Sequence, residues 1–156
     1  MADQRSVRLM TFSVGNDSFV LDIMAIRQIV AWTGSTPVPQ APSFIEGIIV
    51  LRNQVVPVID LRARLRPELG PAERTPLVLI LAGSAGPIGF KVDEVRNIIT
   101  VDLDSLLPAP PLVRGMRGEL FIGVVPDGEE VHLLLDAETI LTPDEQEELR
   151  SAELQS

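Results

Sequence analysis

Apolar and polar residues alternate along much of this chain with the two-residue period of a half-buried β-strand. Between Leu9 and Val14, the apolar residues Met10, Phe12 and Val14 alternate with Thr11 and Ser13. The turn that follows, Gly15-Asn16-Asp17, begins with residue types that tolerate positive φ at little cost. Apolar residues resume at 19–23, so the sequence predicts a β-hairpin here.

Short apolar runs recur at similar spacing through the rest of the chain. They favour strands over helices, because Val, Ile and Leu suit a pleated surface. Gly83-Ser84-Ala85-Gly86 and Pro126-Asp127-Gly128-Glu129 are predicted turns, residues 23–27 a short helical turn, and the prolines between 37 and 42 a rigid connector. The further runs predicted as strands are 26–32, 48–51, 55–59, 77–81, 88–92, 98–101, 120–125 and 131–135.

One predicted hairpin carries a basic residue at its tip. The β-branched runs 48–51 and 55–59 are separated by Arg52-Asn53-Gln54. This spacing predicts a tight turn with Asn53 at positive φ. Arg52 would then stand at the tip.

The C-terminal segment differs from the rest of the chain. Thr142-Pro143-Asp144-Glu145 combines an N-cap residue, a first-turn proline and a capping-box acid. An acidic helix is therefore predicted over residues 142–156.

Two short sequence patterns each occur twice in the chain, in the same order. Phe19-Val20-Leu21-Asp22 resembles Phe90-Lys91-Val92-Asp93, and the pattern at 55–65 resembles the pattern at 131–141. We interpret the two halves as variants of one strand unit, although short apolar words also match by coincidence in a Val-rich chain.

Composition narrows the possible partners and locations. Hydrophobic residues make up 46% of the chain, but no apolar run approaches the roughly 20 residues of a membrane span. Residues 1–8 lack the apolar core of a secretory signal, and the chain has no cysteine, so a cytoplasmic protein without membrane insertion is expected. A formal charge of −9 argues against nucleic acid as a partner.

Candidate chemistry is sparse. His132 is the only histidine, and it is predicted to face outward because its neighbours Val131 and Leu133 would face the core. No second histidine, cysteine or nucleophile-elbow motif accompanies it, and the acid pairs have no calcium-loop spacing, so no catalytic residue, metal or cofactor is expected. Four acids that follow apolar runs are predicted to cap backbone amides: Asp22, Asp60, Asp93 and Asp136.

The stretch from Thr36 to Arg62 closely resembles the signature of CheW domains. In that signature a proline-containing loop leads to a Gly-hydrophobic strand, an Asn-Leu-Arg-Gly tip and an Ile-Pro-Val-Ile-Asp-Leu-Arg return strand. This chain has Glu46-Gly47-Ile48-Ile49, then Leu51-Arg52, then Val55-Val56-Pro57-Val58-Ile59-Asp60-Leu61-Arg62. A second block, 89–98, is similar to the family's Gly-x-x-Val-Asp-x-Val segment, so the resemblance runs from about 9 to 141.

The resemblance implies a fold of two interlocked five-stranded SH3-like β-barrels, with short helical turns and a C-terminal helix. One domain would cover 1–156, with its core at 9–141. The resemblance also implies no catalytic activity. The implied partners are the cytoplasmic helical tip of a chemoreceptor and the regulatory domain of a CheA-type histidine kinase.

Four residues are candidates for contact with these partners: Ile26, Gln28, Arg52 and Asn53. Ile26 would form the floor of an apolar groove, although a core role is the stronger interpretation, and Gln28 and Arg52 would lie on its rim. The chain departs from the family pattern at Gln28, where Glu is usual, and at Val50 and Asn53 of the tip.

Two alternatives remain open from the sequence. One is an adaptor of the same fold in a divergent chemosensory system, such as pilus or surface-motility signalling. The other is a small β-barrel enzyme or ligand carrier.

Overall fold

The computed structural model of this protein describes residues 5–72 and 74–155, with the backbone alone at 149 and 151–155. Half of the polar segment 1–8 and the last residue of the predicted C-terminal helix lie outside the described residues. Within the described range, no helix is both long enough and apolar enough to cross a bilayer.

The described residues form twelve strands, two α-helices and four single 3-10 turns. The strands are β1 Ser6–Val14, β2 Asp17–Asp22, β3 Ile26–Ala31, β4 Ile45–Leu51, β5 Gln54–Asp60, β6 Leu77–Gly83, β7 Gly86–Val92, β8 Glu94–Asp102, β9 Leu112–Val113, β10 Met116–Arg117, β11 Gly123–Asp127 and β12 Glu130–Leu134. The helices are α1 Leu61–Leu65 and α2 Pro143–Gln155. The 3-10 turns are Ile23–Ala25, Pro67–Leu69, Leu103–Ser105 and Gly118–Leu120.

Ten of these strands build two five-stranded sheets of identical topology. The first sheet has the order β11-β12-β2-β1-β8 and the second the order β4-β5-β7-β6-β3. In both, the second and third strands are parallel and all other neighbours are antiparallel. The predicted all-β fold of two five-stranded SH3-like barrels is confirmed.

The two sheets are interlocked because they exchange strands between the halves of the chain. The first sheet joins β1 and β2 to β8, β11 and β12, whereas the second joins β6 and β7 to β3, β4 and β5. The repeated sequence words fall on β2 and β7 and on β5 and β12, which occupy equivalent places in the two sheets. The topology thus supports a duplicated strand unit.

The apolar core has three parts. The largest lies between the sheets, where the rings of Phe12 and Phe19 stack at 5.7 Å and those of Phe19 and Phe121 at 6.1 Å. Each sheet also encloses a small cluster of its own on its other face. The strand β2 illustrates the consequence: Phe19 faces the central cluster and Val20 faces the small cluster, so both faces of the strand are buried.

Close packing inside the second sheet requires a glycine on β7. A Cβ atom on Gly89 would lie 2.9 Å from Cγ1 of Val78 and 3.3 Å from Cγ2 of Val58. Both neighbours belong to the small cluster of that sheet. Glycine therefore lets β5, β6 and β7 pack around one interior without a void or a clash.

The β4–β5 hairpin is tighter than predicted. Leu51 pairs with Gln54, so the turn contains two residues rather than the predicted three. Arg52 has φ 49° and Asn53 has φ 65°, as a type I′ turn requires at both central positions. Positive φ was predicted for Asn53 alone.

The predicted strand 120–125 is partly wrong. Residues Gly118–Leu120 form a 3-10 turn, and β11 begins only at Gly123. Leu120 and Phe121 are consecutive, yet both are buried in the central cluster. A regular strand cannot place adjacent side chains on one face, so the backbone turns here instead.

The C-terminal helix is fixed by the predicted capping box. The Glu145 amide donates to Oγ1 of Thr142 at 3.2 Å, and the Thr142 amide donates to Oε1 of Glu145 at 2.9 Å. Glu145 also forms a bidentate pair with Arg64 of α1, at 2.5 and 2.8 Å. The Arg64 guanidinium lies 4.3 Å from the centre of the Phe44 ring, so α2 is held against the core.

Glu145→Gln is expected to reduce the free energy of unfolding by about 1–2 kcal/mol, because the charge-assisted bonds to Arg64 are lost. Burial acts to raise the pKa of Glu145, but its bonds with Thr142 and Arg64 outweigh burial and lower that pKa below the ordinary 4.5. The stabilisation is therefore complete above about pH 4.5 and is lost as the pH falls through the lower folded-state pKa.

Urea denaturation of wild type and variant between pH 3 and 7 measures this difference. The difference in the free energy of unfolding between wild type and Glu145→Gln should become smaller at acid pH. Glu148→Gln, on an exposed position of the same helix, is the matched control and should behave as wild type. An equal loss in both variants would contradict the role of the Arg64 pair.

Candidate partner-binding site

Aspartates at the strand ends orient the elements that carry the candidate residues. Asp22 accepts a hydrogen bond from the Met24 amide at 2.9 Å and caps the 3-10 turn that leads into β3. Asp60 caps α1 through the Arg62 amide at 3.0 Å, and Asp136 accepts from the Thr139 amide at 2.8 Å. The predicted capping roles of these three acids are confirmed.

Asp93 has a longer-range role than predicted. Its Oδ2 accepts from the Gly15 amide at 2.7 Å and from Nη1 of Arg62 at 2.5 Å. These partners lie in the β1–β2 turn and in α1, so Asp93 ties three segments that are distant in sequence.

Ile26 and Gln28 lie on β3, an edge strand of the second sheet. Ile26 is half-buried and packs against the central cluster, in line with the core interpretation. A register shift separates it from Gln28, which pairs with Ile80 of β6 and is exposed. Met24, just before β3, has 83% of its surface exposed, and sequence reasoning missed it because nothing local distinguishes it from a core residue.

Arg52 and Asn53 form the exposed tip of the β4–β5 hairpin. Two apolar side chains flank this tip: Val50 is 65% exposed and its cross-strand partner Val55 is 50% exposed. We call these four residues the hairpin patch. Val55 was not predicted from the sequence as a contact residue. Its position opposite Val50 across a tight turn would have indicated that the two side chains lie together.

The structure does not join Gln28 and Arg52 in one groove. Gln28 is on β3 and Arg52 directly follows β4, and these strands are the two edges of the second sheet; backbone bonds of 2.9 and 2.8 Å join Thr36, in the connector after β3, to Ile48 of β4. A groove of about 590 Å³ lies between segments 30–36 and 48–51, but neither Gln28 nor Arg52 lines it. The side chains of Gln28, Arg52 and Asn53 form no hydrogen bond or ion pair within the described residues.

Several other cations are engaged inside the protein. Asp17, only 5% exposed, accepts from Nε of Arg66 and from Nε of Arg114, each at 2.6 Å. The hydrogen bond to Asp17 raises the pKa of Arg66 above its ordinary value. The two arginines therefore clamp the start of β2, although only Arg66 is mostly covered and the side chain of Arg114 is 63% exposed.

The prediction that His132 faces outward is wrong. His132 is 3% exposed, whereas Val131 is 49% exposed. Leu133 faces the central cluster, so His132 lies on the other face of β12, and that face is also buried at this position. Its Nδ1 lies 2.6 Å from Oγ of Ser18, and its Nε2 lies 3.0 Å from Oδ2 of Asp127.

Among the described residues, one group of imidazole and carboxylate side chains is close enough to share a metal ion. It consists of Asp127, Glu130 and His132, whose donor atoms lie within 4.8 Å of one another. The sequence analysis assigned no metal ligand, because the burial of His132 was not foreseen.

The profile of the CheW-like domain matches residues 8–145. The chain is 30% identical over 139 residues to the chemotaxis protein CheW of Rhizobium meliloti, which covers 89% of this chain and 90% of that protein. It is 30% identical over 147 residues to the probable chemotaxis protein CheW of Rhizobium etli, covering 93% of this chain and 94% of that protein.

The fold is similar to the crystal structure of the scaffolding protein TtCheW from Thermoanaerobacter tengcongensis. The TM-score is 0.80 at 24% identity, over 93% of this chain and 92% of that chain. The profile match includes every strand of both sheets except the first two residues of β1, so it rests on the whole double barrel. This chain is a member of the CheW-like domain family.

Proposed function

We propose that this protein is a non-enzymatic cytoplasmic adaptor that couples a chemoreceptor of the methyl-accepting type to a CheA-type histidine kinase. The observation that carries the proposal is the profile match across both barrels, together with full-length relatives that are chemotaxis proteins. A single barrel could offer one binding surface, whereas the joined pair offers two or more in a fixed arrangement.

An adaptor of this kind acts by holding two partners together. When one partner is bound, the second binding event becomes intramolecular, so its effective concentration rises without any chemistry in the adaptor. The shared central core and the partly buried ion pairs of Asp17 and Asp93 favour this role, because they fix the two barrels to each other.

The surface along β3 suits the helical receptor tip. Met24 and Ile29 are exposed apolar side chains, and Gln28 points to the opposite face of β3 from Ile29. Because β3 is an edge strand, a helix docked along its open edge can contact the apolar side chains of this strip and form hydrogen bonds with Gln28. We assign Ile26 to the base of this strip, where its exposed part can contribute while its buried part packs on the core.

The hairpin patch suits the kinase regulatory domain. Val50 and Val55 provide apolar contact area, and Arg52 adds a positive charge on an otherwise acidic protein. Apolar centres with a charged rim are typical of specific protein interfaces. The left-handed Arg52-Asn53 turn holds the tip in one conformation, which lowers the entropy lost on binding.

A divergent chemosensory system is the second candidate context for the same adaptor role. Gln28 is neutral and Val50 is apolar where the family usually has Glu and Asn. These exchanges remove a charge and a polar group from the proposed contact surfaces, so a changed set of partners would follow. Pull-down from the native cell, followed by mass spectrometry, identifies which receptors and kinase are bound.

Arg52→Glu is expected to weaken binding of the kinase regulatory domain by about tenfold, because the charge at the rim is reversed. Isothermal titration with the purified kinase domain measures the change. Arg8→Glu, an exposed arginine on β1 of the first sheet, is the charge-matched control and should bind as wild type. Unchanged affinity of the Arg52 variant would remove this residue from the contact.

Val50→Ser combined with Val55→Ser should weaken the same complex by about tenfold while the melting temperature stays within about 2 °C, since both side chains are largely exposed. Val131→Ser, at similar exposure on β12, controls for general loss of apolar surface. If the Val50/Val55 double variant binds the kinase domain as well as Val131→Ser does, the hairpin patch is not the kinase surface.

A further inference from the structure

The β11–β12 hairpin brings three potential metal ligands to one face. Asp127 and Glu130 are cross-strand partners that close the two-residue turn, in which Gly128 has φ 64°. His132 lies two residues beyond Glu130 on β12 and so shares its face. The group is therefore fixed by hairpin geometry rather than gathered from mobile side chains.

The distances suit a shared ion. Nε2 of His132 lies 3.0 Å from Oδ2 of Asp127 and 3.9 Å from Oε1 of Glu130. Nitrogen and oxygen ligands bind Zn²⁺ at about 2.0–2.2 Å, so two donors on one ion lie about 3–4 Å apart. An ion could enter between these three atoms with small side-chain rotations.

The other ring nitrogen has the partner that a metal-binding histidine needs. Nδ1 of His132 lies 2.6 Å from Oγ of Ser18 on β2. When Nδ1–H donates to this hydroxyl, the lone pair of Nε2 points toward the carboxylates. Three acceptors then face one another, an arrangement that a cation stabilises.

The histidine of this group is buried, and the two carboxylates are accessible to solvent. His132 is 3% exposed, whereas the side chains of Asp127 and Glu130 are 48% and 65% exposed. They line a groove of about 350 Å³ that also includes Arg96, whose Nε lies 3.7 Å from Glu94. The imidazole is thus pre-oriented, and the carboxylates leave a path from solvent.

We propose that Asp127, Glu130 and His132 form a binding site for a divalent transition-metal ion such as Zn²⁺. The imidazole donor favours zinc and its neighbours over Mg²⁺ or Ca²⁺, which prefer oxygen alone. Two carboxylates and a neutral imidazole balance the charge of the ion. Three protein ligands leave a further position for water or for a side chain of a partner.

Binding of the ion would be linked to the first half of the chain through the hydrogen bond between His132 and Ser18. The ligands belong to β11 and β12 of the second half, and Ser18 belongs to β2 of the first half. These strands meet at the parallel β12–β2 pairing of the first sheet. The ion would therefore stabilise this junction, independently of the proposed adaptor role.

Zinc titration of the untagged full-length protein tests the proposal, with the imidazole proton resonances as the readout. Because His132 is the only histidine, its signals need no further assignment. We expect saturable one-to-one binding, a shift of these signals and a higher melting temperature. Mg²⁺ should leave the imidazole signals in place.

Asp127→Asn and Glu130→Gln should each weaken zinc binding by about tenfold or more. Glu130 is 65% exposed and lies 3.9 Å from the imidazole, so the melting temperature of Glu130→Gln in chelator should match wild type, whereas Asp127→Asn also alters the hydrogen bond to His132. Glu129→Gln, in the turn of the same hairpin, is the charge-matched control and should bind zinc as wild type. An unmoved imidazole signal at about 1 mM zinc overturns the site. Equal weakening of zinc binding by Glu129→Gln would also overturn the site.

Discussion

The structure depends on the burial of one apolar core by two sheets that each contain strands from both halves of the chain. The second sheet uses the consecutive strands β3 to β7, whereas the first sheet is complete only when β1 and β2 pair with β8, β11 and β12 from beyond that segment. The aromatic stack of Phe12, Phe19 and Phe121 lies where the two sheets meet. The two sheets therefore pack on one shared core, and a densely packed core favours a fixed relation between the surfaces of the molecule.

Much of the charge of this acidic protein supports that architecture. Asp22, Asp60 and Asp136 cap turns at strand ends, and Asp17 and Asp93 receive arginines from other segments. Asp17 is the buried one among them, and it is satisfied by two guanidinium groups, since an unpaired charge in the interior is costly. The other four are partly exposed and are held by backbone amides or by an arginine.

The duplicated strand unit has produced two hairpins with different chemistry. The β4–β5 and β11–β12 hairpins occupy equivalent edges of the two sheets, and each is closed by a two-residue turn. The first carries the hairpin patch, with Val50 and Val55 beside Arg52, whereas the second carries Asp127 and Glu130 beside the buried His132. Equivalent positions thus carry exposed valines and an arginine in one hairpin, and two carboxylates beside a buried imidazole in the other.

The sequence by itself determined what depends on neighbouring residues: most of the strands, the place of the β4–β5 turn, the Thr142–Glu145 capping box and the family. These features arise from φ preferences, side-chain period and local hydrogen bonds. Only the tertiary structure decided that His132 is buried and that Gln28 and Arg52 line no common groove. An alternating pattern identifies the inner face of a strand only when the other face is exposed to water, and strand exchange buries both faces here. Strands that are distant in sequence pair through tertiary contacts, which a local sequence pattern does not contain.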